Sequence, residues 1–469
     1  MLTPKAGLTG NNGSSLVEIL IALGIFAIVV SATALVFFGG QEFAAGSIES
    51  RTGVEKARTG AEALRIIRDK KWTDLTDGIH GLQFLASGSW QLTGSPDVSD
   101  GFTRTVSIST DFDGIKHIDL TVSWYHLPEG TRSIEFSQTL SPLEEGLKGD
   151  WEELCVVGSV DAGSGSKGSD VFYLDGKAYV TDSAAAASKP DLYIFNFANP
   201  LAPTLLGQLN VEQGEKSVTV AGNYAYTIEE NSPDFFVIDV SNPATPLQKA
   251  KLTLAGGSGR YVMVRGNYVF ATTTNNASGA EFFVIDVTTP TTPSVVGSLE
   301  IGGNVNEVNV LKNVAYLATG IDTKELMAVD VTTPASPTIL GSYDAAGSAD
   351  GLAVHAKSKN RVYLGRASSS DKELFVLDAT TPSAITTRGS VDTSDTINSL
   401  MTAATLTFLG MSDTNEEFQV YYVKDPTAMY QYAELNFSNN ATGAVYYNNY
   451  VYMSVQNSDV LQIISSCGS

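Results

Sequence analysis

The sequence is poor in cysteine, histidine and positive charge, and each shortage excludes something. Two cysteines in 469 residues are too few for a disulfide-dense scaffold or a four-thiolate zinc site. The four histidines, His80, His117, His126 and His355, are scattered, so no metal centre is expected. Lys plus Arg is 29 against 51 Asp plus Glu, a net charge of -22. Nucleic acid binding would therefore begin with repulsion and is not expected. No cofactor is expected either. Gly163-Ser-Gly-Ser-Lys-Gly168 fits G-x-G-x-x-G, but dinucleotide binding needs a strand before it and a helix after it. The segment reads instead as a loop leading into a strand. A hydrophobic content of 43% rules out a disordered polymer, and the length suggests roughly two to four domains.

One long apolar run is present. Leu16 to Phe38 gives 23 nearly unbroken apolar residues, enough to cross a hydrocarbon core of about 30 Å and longer than a secretory signal's apolar region. Its single charge is Glu18, and a carboxylate at such a place costs about 2.5–3.5 kcal/mol unless it has a partner. Gly13-Ser14-Ser15-Leu16-Val17-Glu18 ahead of this run resembles the class III signal of type IV prepilins. The resemblance implies that residues 1–13 are a leader removed by a prepilin peptidase after Gly13, and that the new terminus at Ser14 is N-methylated. It also implies that Glu18 pairs with a terminal amine among other pilin subunits. Ser14 departs from the aromatic or Met with which most type IV pilins begin.

Beyond the run, Val54, Ala57, Ala61, Leu64 and Ile67 fall at three- and four-residue steps, the stripe of an amphipathic helix. One helix over 14–72 is expected, about 87 Å long. Alternating runs at 81–87, 102–110, 116–125 and 131–140 predict a small antiparallel sheet over 73–141, and 142–150 reads as a linker. The expected first half is thus a long N-terminal helix with a small pilin-like α+β head.

From residue 151 the chain is periodic. FFVIDVSNPATP (235–246), FFVIDVTTPTTP (282–293), LMAVDVTTPASP (326–337) and LFVLDATTPSAI (374–385) are copies of one unit. Pro200, Pro243, Pro290, Pro334, Pro382 and Pro426 lie 43 to 48 residues apart. A second marker, Tyr179, Tyr226, Phe270, Tyr316, Tyr363, Phe408 and Tyr452, repeats every 44 to 47. Seven units of this length, each with about four strands, predict an all-β seven-bladed propeller over 151–469. Asp239, Asp286, Asp330 and Asp378 stand four residues before a proline and read as caps of the following turn rather than metal ligands. Asn196 can do the same; Tyr422 cannot, so the sixth turn should be built differently.

These units resemble LVIVD repeats, a bacterial and archaeal β-propeller family, clearly over 192–385 and more faintly elsewhere. The family is associated with surface proteins and has no defined catalytic motif, so the resemblance implies a fold more than a function. In the repeat register the last unit stops after its third strand, and 154–160 looks like a fourth strand that completes it. Cys467 then aligns with Thr288 and Cys155 with Ser294, on opposite limbs of the turn that the chain break has opened. A disulfide there is expected, and by chain entropy it contributes up to roughly 5–6 kcal/mol.

Ten residues before the repeat aromatic come Lys216, Arg260, Asn306 and Asn398, polar side chains at matching positions of different blades. They are the candidate ligand-binding residues, for a surface glycan or a protein. His355 reads as a packed or channel-lining residue. The expected protein is a pilin-like subunit, minor or at the tip, of a type IV pilus or related filament. It is membrane-inserted before assembly and then displays the propeller outside the cytoplasm for adhesion, with no enzyme activity. Two alternatives stand beside it: a pseudopilin of a type II secretion or DNA-uptake machine with a substrate-contacting propeller, and a membrane-tethered propeller enzyme.

Overall fold

The computed structural model describes residues 48–71, 74–86, 88–110, 116–126, 130–140, 147–184, 189–277, 279–412 and 415–467. The apolar run, with Gly13, Ser14 and Glu18, lies outside the described residues. No helix among the described residues is long and apolar enough to cross a membrane. The chain divides into two compact units, Met1–Leu143 and Glu144–Ser469.

In the first unit, helix α1 (Ile48–Lys70) carries Ala57, Ala61, Ala63, Leu64 and Ile67 on its buried face. Arg68 and Lys70 in its last turn complement the negative end of the helix dipole. The strands are β1 (Gly78–Phe84), β2 (Trp90–Thr93), β3 (Asp97–Ser99), β4 (Phe102–Thr110), β5 (Lys116–His126) and β6 (Gly130–Leu140). They form one antiparallel sheet of order β2-β1-β4-β5-β6, with β3 paired to β4. Alternate residues of β4 and β5, including Val106, Ile118, Leu120 and Val122, are buried in one cluster with α1, which Leu140 of β6 joins. A Cβ on Gly53 would lie 2.8 Å from the Trp124 ring, and one on Gly60 would lie 2.5 Å from Leu120 Cδ1. These two glycines let the helix approach the sheet.

This corrects the expected fold class. The described residues are overwhelmingly β, and the one α-helix among them is the 23-residue Ile48–Lys70; the expected helix over 14–72 lies for its greater part outside the described residues. The sheet has six strands, two more than the alternating runs predicted. The arrangement is not a long N-terminal helix bearing a pilin-like head. Of the apolar stripe, Val54 stays 41% exposed, while Ala57, Leu64 and Ile67 are buried against this sheet.

The second unit is seven four-stranded antiparallel sheets. Their innermost strands are Gly168–Leu174, Glu215–Ala221, Gly259–Arg265, Val305–Leu311, Gly351–Ser358, Ile397–Ala403 and Ala441–Tyr447. Each innermost strand packs against the next, and the seventh packs against the first, so the ring is closed. The third strands, such as Phe282–Asp286, are buried on both faces between neighbouring blades; the outermost ones alternate, as in Leu247–Thr253. The last blade is completed by Leu154–Val160 paired with Leu461–Ser466. Cys155 and Cys467 are disulfide-bonded there, with Cα atoms 5.1 Å apart.

The repeated proline has a packing role. A Cβ on Gly207 would lie 2.1 Å from the Pro243 carbonyl oxygen of the next blade; Gly297, Gly341 and Gly389 meet Pro334, Pro382 and Pro426 in the same way. Four of the proline-bearing turns are thus seated on a glycine of the preceding blade's outermost strand; before Pro290 that strand, Leu247–Thr253, carries Ala250 at the matching register position. The segment before the first strand is also fixed. Trp151 is buried against Phe408, and Asn449 exchanges two hydrogen bonds with the Lys148 backbone. The expected linker therefore ends earlier than residue 150.

Candidate functional site

Each innermost strand carries a β-bulge at the same place, one residue after it begins. The bulged residues are Ser169, Lys216, Arg260, Asn306, Leu352, Asn398 and Thr442. A bulge turns a side chain out of the alternating pattern, and here all seven line one cavity on the propeller axis, open to solvent. The four polar residues singled out by repeat phase are thus brought to one channel mouth. The same phase rule, ten residues before the aromatic, would also have found Ser169 and Thr442. Leu352 is displaced by one residue because the innermost hairpin of the fifth blade holds a second bulge.

Two of the four are occupied in joining blades. Asn306 Nδ2 donates to the Gly351 carbonyl at 2.7 Å. Asn398 Nδ2 donates to the Ala441 carbonyl and to Ser412 Oγ, both at 2.9 Å. Lys216 Nζ pairs with Glu230 Oε1 at 2.9 Å. Arg260 differs: its Nε is buried and has no hydrogen-bond partner.

Beneath the mouth lie two acids and a phenol. Asp170 accepts hydrogen bonds from Ser217 Oγ (2.7 Å), Val218 N (3.1 Å) and Val171 N (2.8 Å). Burial nevertheless pushes its pKa up to about 6. Glu307 accepts from Val354 N at 3.0 Å and bonds the Tyr261 hydroxyl; burial drives both groups well above their usual values. Glu307 and Tyr261 are half-buried, and both line the channel. His355, further along an innermost strand, is held neutral: burial, then Lys357, lowers its pKa to about 4.

The turn aspartates cap as expected. Asp286, Asp330 and Asp378 accept from Thr288, Thr332 and Thr380 backbone N–H groups at 2.8, 2.8 and 2.9 Å. Asp239 and Asn196 do the same at 3.0 Å. In the sixth unit Asp425 instead caps a 3₁₀ turn at Pro426–Ala428. Gly168, which closes the G-x-G-x-x-G segment, opens a strand and not a helix, so that segment is no nucleotide loop.

A second set of acids escaped the sequence reading. Asp191, Glu281, Glu325, Glu373 and Glu417 open the third strands and are buried. Each accepts from a backbone N–H twenty residues on, at Val211, Ile301, Ala345, Thr393 and Phe437. Their signal was present, an acid directly before each FFVID-type segment.

The fold and closure define a seven-bladed β-propeller with its last blade shared between the two ends of the repeat region. Residues 215–253, 256–300 and 302–345 match the LVIVD repeat. The comparison with curated proteins finds no match. Among solved structures, a protein from Lactobacillus plantarum is similar at 11% identity and TM-score 0.53, covering 69% of this chain and 98% of that one. The WD40 propeller domain of Doa1 is similar at 10% identity and TM-score 0.52, covering 67% and 97%. A periplasmic gluconolactonase from Pseudomonas aeruginosa is similar at 9% identity and TM-score 0.52, covering 72% and 97%. At these identities the likeness is one of fold.

Proposed function

We propose that the chain is a surface-displayed binding propeller, a minor or tip subunit of a type IV pilus or related filament. The N-terminal part of this reading rests on Gly13 and Glu18 bracketing the start of the apolar run. Processing by a prepilin peptidase frees Ser14, and Glu18 meets other pilin subunits. The segment is held in the membrane before assembly, and the propeller stands outside the cytoplasm, where a structural disulfide persists.

The observation that carries the binding role is the ring of bulges, which aims one side chain from every blade at a single channel mouth. Arg260 has a guanidinium nitrogen with no partner in the protein, and a guanidinium suits a planar carboxylate. The ligand proposed is a surface glycan or protein segment presenting a carboxylate. Binding, not catalysis, is the activity proposed.

The test is a glycan and peptide screen on the purified full chain. Carboxylate-bearing ligands are expected, with Kd rising about tenfold or more in Arg260→Ala, the loss typical of a charged hydrogen bond, at unchanged Tm. Wild-type affinity in both Arg260→Ala and Lys216→Ala would reject the mouth as the site. Mass spectrometry of the native protein should find Ser14 at the terminus; retention of residues 1–13 would overturn the filament reading.

A further inference from the structure

We infer that an aromatic cavity at the foot of the sixth blade binds an organic cation of the alkylammonium class. The inference does not rest on the proposed function. Leu147, Trp151, Leu406, Tyr422 and Tyr432 line this cavity. The channel mouth lies where the innermost strands begin, whereas this cavity lies where the sixth one ends, beside Leu406, the first residue of the next strand. Tyr422 closes the third strand, Phe418–Tyr422, directly opposite Tyr430, which opens the outermost strand, Tyr430–Leu435. Tyr432 follows on the same face of that strand. Ring centroids are 5.3 Å apart for Tyr422 and Tyr430, and 6.3 Å apart for Tyr432 and each of the other two. Tyr430 is 50% exposed, and the other two tyrosines are half-buried. A fourth ring comes from outside the repeat: Trp151 reaches the cavity while packed against Phe408 of this blade.

The fold does not demand these rings. Where Tyr422 stands, five other blades carry Asn196, Asp239, Asp286, Asp330 and Asp378, which cap the following turn. The sixth blade moves that duty to Asp425 and frees the position. Opposite it, where Tyr430 stands, the same blades carry Thr204, Leu247, Ser294, Thr338 and Thr386. An aromatic face attracts a cation within roughly 6 Å of its centroid, and the spacing of the three tyrosines lets one ammonium stand within that distance of all of them. Charge agrees. Residues 147–153 hold Asp150, Glu152 and Glu153 against Lys148 alone. Asp150 sits between Gly149 and Trp151, which both line the cavity, and it accepts from Glu152 N at 2.9 Å. Burial, then the charges of Glu152 and Asp150, raises the Tyr432 pKa. An anion would be repelled here, and a neutral apolar group would forgo the attraction to the ring faces.

The experiment is calorimetric titration of the full chain with choline chloride and, in parallel, with dimethylbutanol, its neutral carbon isostere. Choline is expected to bind at least about tenfold more tightly than the alcohol. Tyr432→Leu keeps bulk but loses the negative ring face, so it should weaken choline about tenfold, whereas Tyr432→Phe should retain it. Arg260→Ala, at the channel mouth, should leave choline binding unchanged. Should Tyr432→Leu fail to fold, Tyr430→Leu carries the same test at the exposed ring. Vesicles of phosphatidylcholine that bind the chain and are displaced by choline would assign the ammonium to a lipid headgroup; choline binding without vesicle binding would assign it to a free solute. Failure of the wild type to bind choline overturns the inference. So does equal affinity for the alcohol, or wild-type affinity for choline in the leucine variants.

Discussion

Asp170 shows how burial and hydrogen bonding compete at one residue. Three donors favour its anion and Lys216 adds to them, yet desolvation prevails and the pKa rises to about 6. Glu307 and Tyr261, themselves pushed up, face it across the channel. A raised folded-state value means that the folded protein holds its proton more tightly than the unfolded chain. The contribution is fully present below the unfolded value of about 3.8 and is lost as pH rises through 6. Asp170→Asn should remove that slope, with the wild type losing up to about 3 kcal/mol relative to the variant between pH 4 and 8. Urea unfolding at four or five pH values measures it. A parallel pair of curves would refute the assignment.

At the scale of the element, the two turn features act on different links. Ser241, Thr288, Thr332 and Thr380 hydrogen bonds lower the pKa of Asp239, Asp286, Asp330 and Asp378. Their stabilisation is therefore present above about pH 3.8 and fades as pH falls below it. Asp286→Ala should cost about 0.5–1.5 kcal/mol, the usual net value of such a bond, at pH 7, and measurably less at pH 3 by the same melts. The proline seat is stricter. A Cβ on Gly389 would lie 1.7 Å from the Pro426 carbonyl oxygen, so Gly389→Ala must push two blades apart. A loss of about 1–3 kcal/mol is expected, against nearly none for Gly94→Ala, whose position has open space and no positive φ. Chemical denaturation distinguishes them.

How far the sequence reveals such elements depends on whether their partners lie within one repeat. The Asp-to-proline turn is local, so Asp286 could be read as a cap from spacing alone. The Gly389–Pro426 seat crosses between blades, and nothing within one repeat announces it, whereas the acid before each FFVID-type segment, such as Glu281, repeats with the unit and was legible there. The channel residues were legible by phase because every blade repeats the same bulge, but the bulge itself is a property of pairing. The helix was misjudged because an apolar stripe states that a face is covered without stating by what.

For the whole molecule, the link between the two ends of the repeat region dominates. The disulfide spans a sequence separation of 312, and chain entropy sets an upper figure of about 6 kcal/mol for it. Cys467→Ser should lower the denaturation midpoint markedly, and the wild type in reducing agent should match it; a variant as stable as the oxidised wild type would refute the role. Hydrogen exchange in the variant should rise first at Leu154–Val160, the strand that depends on the bond for its tether.

That pairing also orders events in time. Because residues 154–160 find their partner only in 461–466, six blades can form while the chain is still leaving the ribosome, and the seventh must wait. Until the last strand is made, Leu154–Val160 has no ladder partner, and an open edge of that kind can pair with another chain.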